Sequence, residues 1–251
     1  MFSSKLLKTA IAGFMVVGLA LSAAVQASIV IAGTRVIYDA ADSEVTVKLD
    51  NVGKVPALSQ VWLDKGDAKA SPDAIDVPFT ITPTVFRIDP QKSQTLRVRY
   101  TGEPLPQDHE SVFWLNVLEI PPEADTSTPE AKNSLQLAFR YRIKFFFRPK
   151  GLVGKVEAAP DLLQWQLVNK AGKSYLQVNN PSAYNISFGA IDVQSGGKKM
   201  KVEDGQLLKS GEKRELAIEG NATAGANVHF YTLNDYGTDE EHTMPLGASG
   251  K

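Results

Sequence analysis

Catalytic chemistry has few side chains to draw on in this sequence. There is no cysteine, which excludes thiolate zinc sites, iron–sulfur clusters, cysteine nucleophiles and disulfide frameworks together. The three histidines, His109, His229 and His242, lack the spacing of a two-histidine metal helix. No Gly-x-Ser-x-Gly elbow, phosphate loop or dinucleotide fingerprint occurs; Gly196-Gly197 reads as a turn with no helix after it, and Asp239-Glu240-Glu241 as a solvated acidic turn. The expectation is a protein that is not an enzyme and has no catalytic residue, metal or cofactor. The group that stands out is one long strand-like run. From Leu135 to Phe147, Leu135, Leu137, Phe139, Tyr141, Ile143 and Phe145 share one parity, while Gln136, Ala138, Arg140, Arg142 and Lys144 share the other. A strand with one apolar and one partly basic face belongs either inside a sandwich or at an exposed edge. A long exposed edge invites an added strand, whose backbone hydrogen bonds supply affinity and whose alternate side chains supply specificity.

The elements that must position this strand are strands too. Apolar residues recur at every second position in short runs, as at Val45, Val47 and Leu49, at Leu96, Val98 and Tyr100, and at Leu216 and Ile218. Turn signals separate the runs, among them Asp50-Asn51-Val52-Gly53, Lys65-Gly66-Asp67, Asn179-Asn180-Pro181 and Glu219-Gly220-Asn221. No long stretch keeps a helical period uninterrupted by Gly or Pro. The fold class expected is all-β, a sandwich or barrel with scarce helix. The long run stops at Arg148-Pro149-Lys150-Gly151, because proline fixes φ and removes a ladder donor. That stop divides the chain into residues 28–147, a hinge at 148–150 and residues 151–251, two sandwiches of ordinary size. Before the long run, Pro121 to Ser134 carries three prolines and no large apolar side chain, and reads as a mobile loop.

With 251 residues, 27 Lys+Arg and 28 Asp+Glu, the formal charge of -1 offers no positive field for a phosphate backbone, so nucleic acid is an unfavourable partner. Residues 1–27 have the form of a cleavable secretory leader. Lys5 and Lys8 precede an apolar run from Ala10 to Val25, which closes on Val25-Gln26-Ala27. The run is shorter than the roughly 20 residues a spanning helix needs, and no later segment is long and apolar enough to insert in a membrane. Cleavage before Ser28 leaves a chain with 25 basic and 28 acidic residues, exported and soluble.

Six segments, in order, resemble one family. They are Gly33-Thr34-Arg35-Val36-Ile37-Tyr38; Val55-Pro56-Ala57-Leu58-Ser59-Gln60-Val61-Trp62; Thr82-Pro83-Thr84-Val85-Phe86-Arg87-Ile88-Asp89-Pro90; Leu105 to Asn116 continuing to Glu119-Ile120-Pro121-Pro122; Leu135 to Pro149; and Leu233-Asn234-Asp235-Tyr236-Gly237. Together they look like the periplasmic chaperones of the chaperone-usher pilus pathway, a family known both for its sandwich architecture and for donor-strand complementation. The resemblance implies two immunoglobulin-like β-sandwiches set as a boomerang, with a cleft between them. It implies a periplasmic protein that binds pilin or fimbrial subunits, lends them a missing strand and passes them to an outer-membrane usher.

The same resemblance implies roles for particular residues. Leu135, Leu137 and Phe139 match the alternating positions inserted into an incomplete pilin, where burying three such side chains contributes roughly 5–9 kcal/mol before ordering costs. Arg35 and Lys144 match the pair that anchors the client's C-terminal carboxylate, a contact that would also fix the register of the added strand. Glu110, Arg148 and Asp235 match a charged triad linking the two halves. The bond before Pro56 is left open between cis and trans, as is a self-capping dimer without client. Absence of a cysteine pair in the second half favours the short-loop branch of the family, although the loop before Leu135 is long for that branch. The alternative is an exported β-sandwich that is itself a structural or adhesive surface component.

Overall fold

The structure is a computed structural model and describes residues 28–121, 137–202, 207–223 and 225–247. The leader, the 122–134 stretch of the expected loop and Leu135 lie outside the described residues. Strands β1 (Ile29–Ile31), β3 (Val45–Asn51), β7 (Ser93–Tyr100) and β5 (Phe79–Thr82) form one sheet in the order β1-β3-β7-β5. The facing sheet runs β2-β9-β8-β4-β6, from β2 (Arg35–Asp39), β9 (Phe139–Arg148), β8 (Ser111–Ile120), β4 (Ala57–Asp64) and β6 (Val85–Ile88). Between them lies one apolar core in which Phe79 meets Tyr38, Phe113, Phe145 and Phe147 at ring-centroid distances of 5.0–5.9 Å. Alternation builds it. Phe113, Leu115 and Val117 of β8 and Val45, Val47 and Leu49 of β3 turn inward, while their neighbours face out.

The rest of the chain repeats the architecture. Strands β10 (Gln164–Lys170), β11 (Lys173–Asn179) and β15 (Lys213–Ala217) face a five-stranded sheet. That sheet runs β13 (Lys198–Lys201), β12 (Ile186–Ser195), β16 (Asn227–Leu233) and β17 (Asp239–Pro245), with β14 (Leu207–Leu208) also on β12. Trp165, Phe188 and Phe230 close its core. Helix among the described residues is confined to three single turns, at Pro72–Ala74, Val156–Ala158 and Pro160–Leu162. The molecule is thus two immunoglobulin-like β-sandwiches.

One expectation needs adjustment and one open point is closed. The long strand begins at Phe139, so Leu137 precedes it, and it reaches Arg148. The cis peptide bond among the described residues joins Thr82 to Pro83, and the bond before Pro56 is trans.

Candidate functional site

Strand β9 pairs with β8 along all but its last residue, from Glu119 opposite Phe139 to Ser111 opposite Phe147. Its other side is half covered. β2 runs parallel to it only from Arg35 opposite Lys144 to Asp39 opposite Arg148. Among the described residues, Phe139 to Ile143 therefore show one edge of unpaired backbone. Such an edge is a template for another strand.

The side chains of β9 do not form one set. Tyr141, Ile143, Phe145 and Phe147 pack on the core of their own sandwich. Leu137 and Phe139, of the same parity, lie outside that core, and Leu137 is 43% exposed. The apolar row is thus internal on the C-terminal side and presented outward at the N-terminal end.

On the outer face the basic row is braced. The Arg142 guanidinium lies 4.2 Å from the centroid of Trp114 and donates to Asp64 at 2.6 Å, and Arg140 lies 4.8 Å from Trp62 and donates to Asn116 at 2.7 Å. Asn116 in turn donates to Asp64 at 2.8 Å. Burial alone would push the Asp64 carboxyl up, but hydrogen bonds from Arg142, Asn116 and the Gly66 amide outweigh it and hold it below its ordinary value. These contacts tie β9 to β8 and β4 and stiffen the edge. Sequence reasoning missed Trp62, Asp64, Trp114 and Asn116; the alternation of Arg140 and Arg142 was visible, their partners on distant strands were not.

Where β2 begins, Arg35 and Lys144 stand opposite each other on the outer face of the sheet. Arg35 Nη1 donates to the Leu233 carbonyl at 2.8 Å, its Nε is buried without a partner, and Lys144 Nζ donates to Ser187 Oγ at 3.0 Å. Burial, reinforced by the Arg35 charge, pushes Lys144 down to about 8. Burial also lowers Arg35, against the pull of Asp235 and Glu110. Two cations share a partly desolvated corner, and no carboxylate pairs with Lys144 among the described residues. An arriving carboxylate would relieve both the desolvation and the repulsion.

Arg148 ends β9. It donates to Glu110 at 2.7 Å and to both oxygens of Asp235 at 2.7 and 3.0 Å, and its guanidinium lies 5.4 Å from the Tyr184 ring centroid. Glu110, 3% exposed, also accepts from the Asn185 amide at 2.9 Å, and its own amide donates to the Ala183 carbonyl at 2.9 Å. Burial would depress Arg148, but hydrogen bonds and charge from Asp235 and Glu110 outweigh it and leave it raised. The arginine is thus shared between an acid of the first sandwich and one of the second. A cavity of about 160 Å³ lies beside it, lined from both sandwiches by Arg35, Phe146, Ile186, Leu233 and Asp235 among others.

Among the described residues no group of three metal-ligating side chains occurs. His229 is held between Asp192 at 3.0 Å and Glu241 at 2.6 Å.

Comparison with known proteins bears on this geometry. Residues 28–153 match the family described as "Pili and flagellar-assembly chaperone, PapD N-terminal domain", and residues 158–244 match "Pili assembly chaperone PapD, C-terminal domain". The chain is 44% identical over 222 residues to the probable fimbrial chaperone YadV of Escherichia coli K12, covering 87% of this chain and 90% of that one. It is 43% identical over 224 residues to the chaperone protein FimB/FhaD of Bordetella pertussis, covering 86% and 87%. Among solved structures it resembles the YadV chaperone, with a TM-score of 0.75, 42% identity and coverage of 88% of this chain and 100% of that one. It also resembles a chain of the Salmonella enterica SafA pilin–SafB chaperone complex, with a TM-score of 0.73, 27% identity and coverage of 89% and 99%.

Proposed function

The chain belongs to the family of pilus-assembly chaperones, and on that premise we propose how its open edge captures a client. The protein is a chaperone that binds and stabilises fimbrial subunits by donor-strand complementation. In our reading it works in the periplasm after loss of its leader, hands its clients to an outer-membrane usher, and performs no catalysis. The observation that carries the capture mechanism is the half-covered edge of β9 with two cations at its inner end.

Direction follows from β2. Because β2 is parallel to β9 and starts at Arg35, a client strand that continues the β2 position backward and runs parallel to β9 ends with its C-terminus at Arg35 and Lys144. An antiparallel strand would bring an α-ammonium to the same two cations, which repel it. Two cations thus select a parallel strand and its terminal carboxylate. From Lys144 back to Leu137 is about 23 Å at roughly 3.3 Å per residue, room for a strand of about seven residues. The carboxylate fixes register, and Phe139, Leu137 and Leu135 then enter the groove of an incomplete client sandwich at alternate positions.

Hand-over requires that the edge keep its shape while empty. The Arg140–Asn116 and Arg142–Asp64 bonds hold the strand. The Glu110–Arg148–Asp235 triad, at the hinge we place at residues 148–150 between sandwiches 28–147 and 151–251, holds Ser187 and Leu233 against the two anchoring cations. The test is co-expression with the pilin-like products of its own locus, followed by purification from the periplasm. A one-to-one complex with wild type that is lost with Arg35→Ala supports the reading; an unchanged yield with Arg35→Ala refutes the anchor.

A further inference from the structure

One buried acid is not used by the capture mechanism proposed above. Glu119 lies on the inward row of β8, after Phe113, Leu115 and Val117, and is 6% exposed. Among the described residues, no lysine, arginine or histidine pairs with it. Its partners are instead the first described residues of the chain. Ser28 N stands 3.1 Å from Oε1 and 3.2 Å from Oε2, Ile29 N stands 3.1 Å from Oε2, and the Ser28 hydroxyl donates to Oε1.

A buried carboxylate without a counter-charge is costly. Here one amide hydrogen is shared between both oxygens, whereas an ammonium carries three protons. Ser28 is held for the purpose: its carbonyl accepts from Val52 N at 2.8 Å, and a Cβ on Gly53 would lie 2.5 Å from the Ser28 Cβ. Cleavage before Ser28, the position the leader pattern marks, would convert that nitrogen from an amide to an α-ammonium at this spot. We propose that Glu119 is the receptor for the α-ammonium of the processed chain, so that removal of the leader completes an ion pair inside the first sandwich. The proposal rests on cleavage at Ser28.

Groups facing the carboxylate from the packed elements are few. β9 presents Tyr141, whose hydroxyl is pushed up by burial and then by the Glu119 charge; β4 presents the neutral Ser59. Neither titrates between pH 7 and 9, the range in which an α-amine does. Pairing raises the α-amine's pKa above the unfolded value, so while the carboxylate stays ionised the stabilisation is full below about 7.7–8.0, where a free α-amino group titrates, and is lost as pH rises through the raised value.

The test uses the exported protein, its N-terminus identified by intact mass and sequencing. Acylation of the α-amine is followed against pH in wild type and in Glu119→Gln. A wild-type reaction midpoint well above 8, with at least about tenfold faster acylation of Glu119→Gln at pH 7.5, is the expected result. If Glu119→Gln does not accumulate, a chain with one alanine inserted between Ala27 and Ser28, and shown by intact mass to retain it after export, moves the ammonium outward. It should melt several degrees lower than wild type. Equal acylation profiles for wild type and Glu119→Gln, an unchanged melting temperature on insertion, or a native N-terminus other than Ser28 would each overturn the proposal.

Discussion

Replacing Lys144 by methionine should strengthen the empty chaperone and weaken its grip on a client. Among the described residues the ammonium has only Ser187 Oγ at 3.0 Å as a hydrogen-bond partner, with Arg35 beside it, and it is pushed down to about 8 from its ordinary 10.5. Between those values the unfolded chain binds more protons than the folded one, so stability rises with pH across that window, and below pH 8 the full cost of the buried charge is present. That drop corresponds to ~3 kcal/mol, reduced to roughly 1–2 kcal/mol for a side chain still partly open to solvent. Lys144→Met, which keeps the stem and removes the charge, should raise the melting temperature at pH 7 by roughly 2–6 °C. The difference should vanish by about pH 10.5. Client binding moves the other way. Loss of one charge-assisted hydrogen bond, about 1.5–3 kcal/mol, lowers affinity roughly 10- to 150-fold. The assay pairs thermal melts at pH 7 and 10 with titration of a client C-terminal strand carrying either a free carboxylate or a carboxamide. Wild type should prefer the carboxylate, with affinity level below pH 8 and falling above it. A destabilised Lys144→Met, or equal binding of carboxylate and carboxamide, would refute the reasoning.

Other perturbations separate the edge from the frame that holds it. Leu137→Glu should abolish client capture while moving the chaperone's own stability by less than about 0.5 kcal/mol, since Leu137 lies outside the core. Phe145→Ala, at 0% exposed, should cost about 3–5 kcal/mol in denaturant unfolding. Arg148→Met leaves Glu110 buried without its cation and should cost about 3–5 kcal/mol, with a change in the angle between the sandwiches measurable by small-angle scattering. His229 is raised by its hydrogen bonds to Glu241 and Asp192. The stability gap between wild type and His229→Gln should be fully present below about pH 6.5 and shrink as pH rises through the raised value, as thermal melts across pH 5–9 would read.

Much of this fold is legible in the residues because a sandwich writes its period into the sequence. The alternation of Val45, Val47 and Leu49 marks one face directly, and Pro149 marks where β9 must stop. Parity says less about what covers a face. The odd row from Leu137 to Phe145 looks uniform in sequence, yet its members from Tyr141 onward fill their own core while Leu137 and Phe139 do not. What divides them is the length of the facing sheet, a long-range property. Phe146 breaks the pattern from the other side: it has the parity of the basic row but is buried at the junction with the second sandwich. Arg140 and Arg142 read only as part of a basic face until Trp62 and Trp114, from β4 and β8, are folded under them. Arg35, Lys144 and the triad could be named only through family resemblance, because nothing in their local spacing distinguishes them from ordinary surface charges.

Backbone hydrogen exchange of β9, with and without a pilin client, tests the capture mechanism most directly. If a client strand adds to the open edge, amides within Phe139–Ile143 become strongly protected on binding, while Phe145–Phe147, already flanked by β2 and β8, change little; removal of the client's terminal carboxylate should erase the effect. Tight binding that leaves Phe139–Ile143 exchanging as in the free protein would contradict strand addition at this edge.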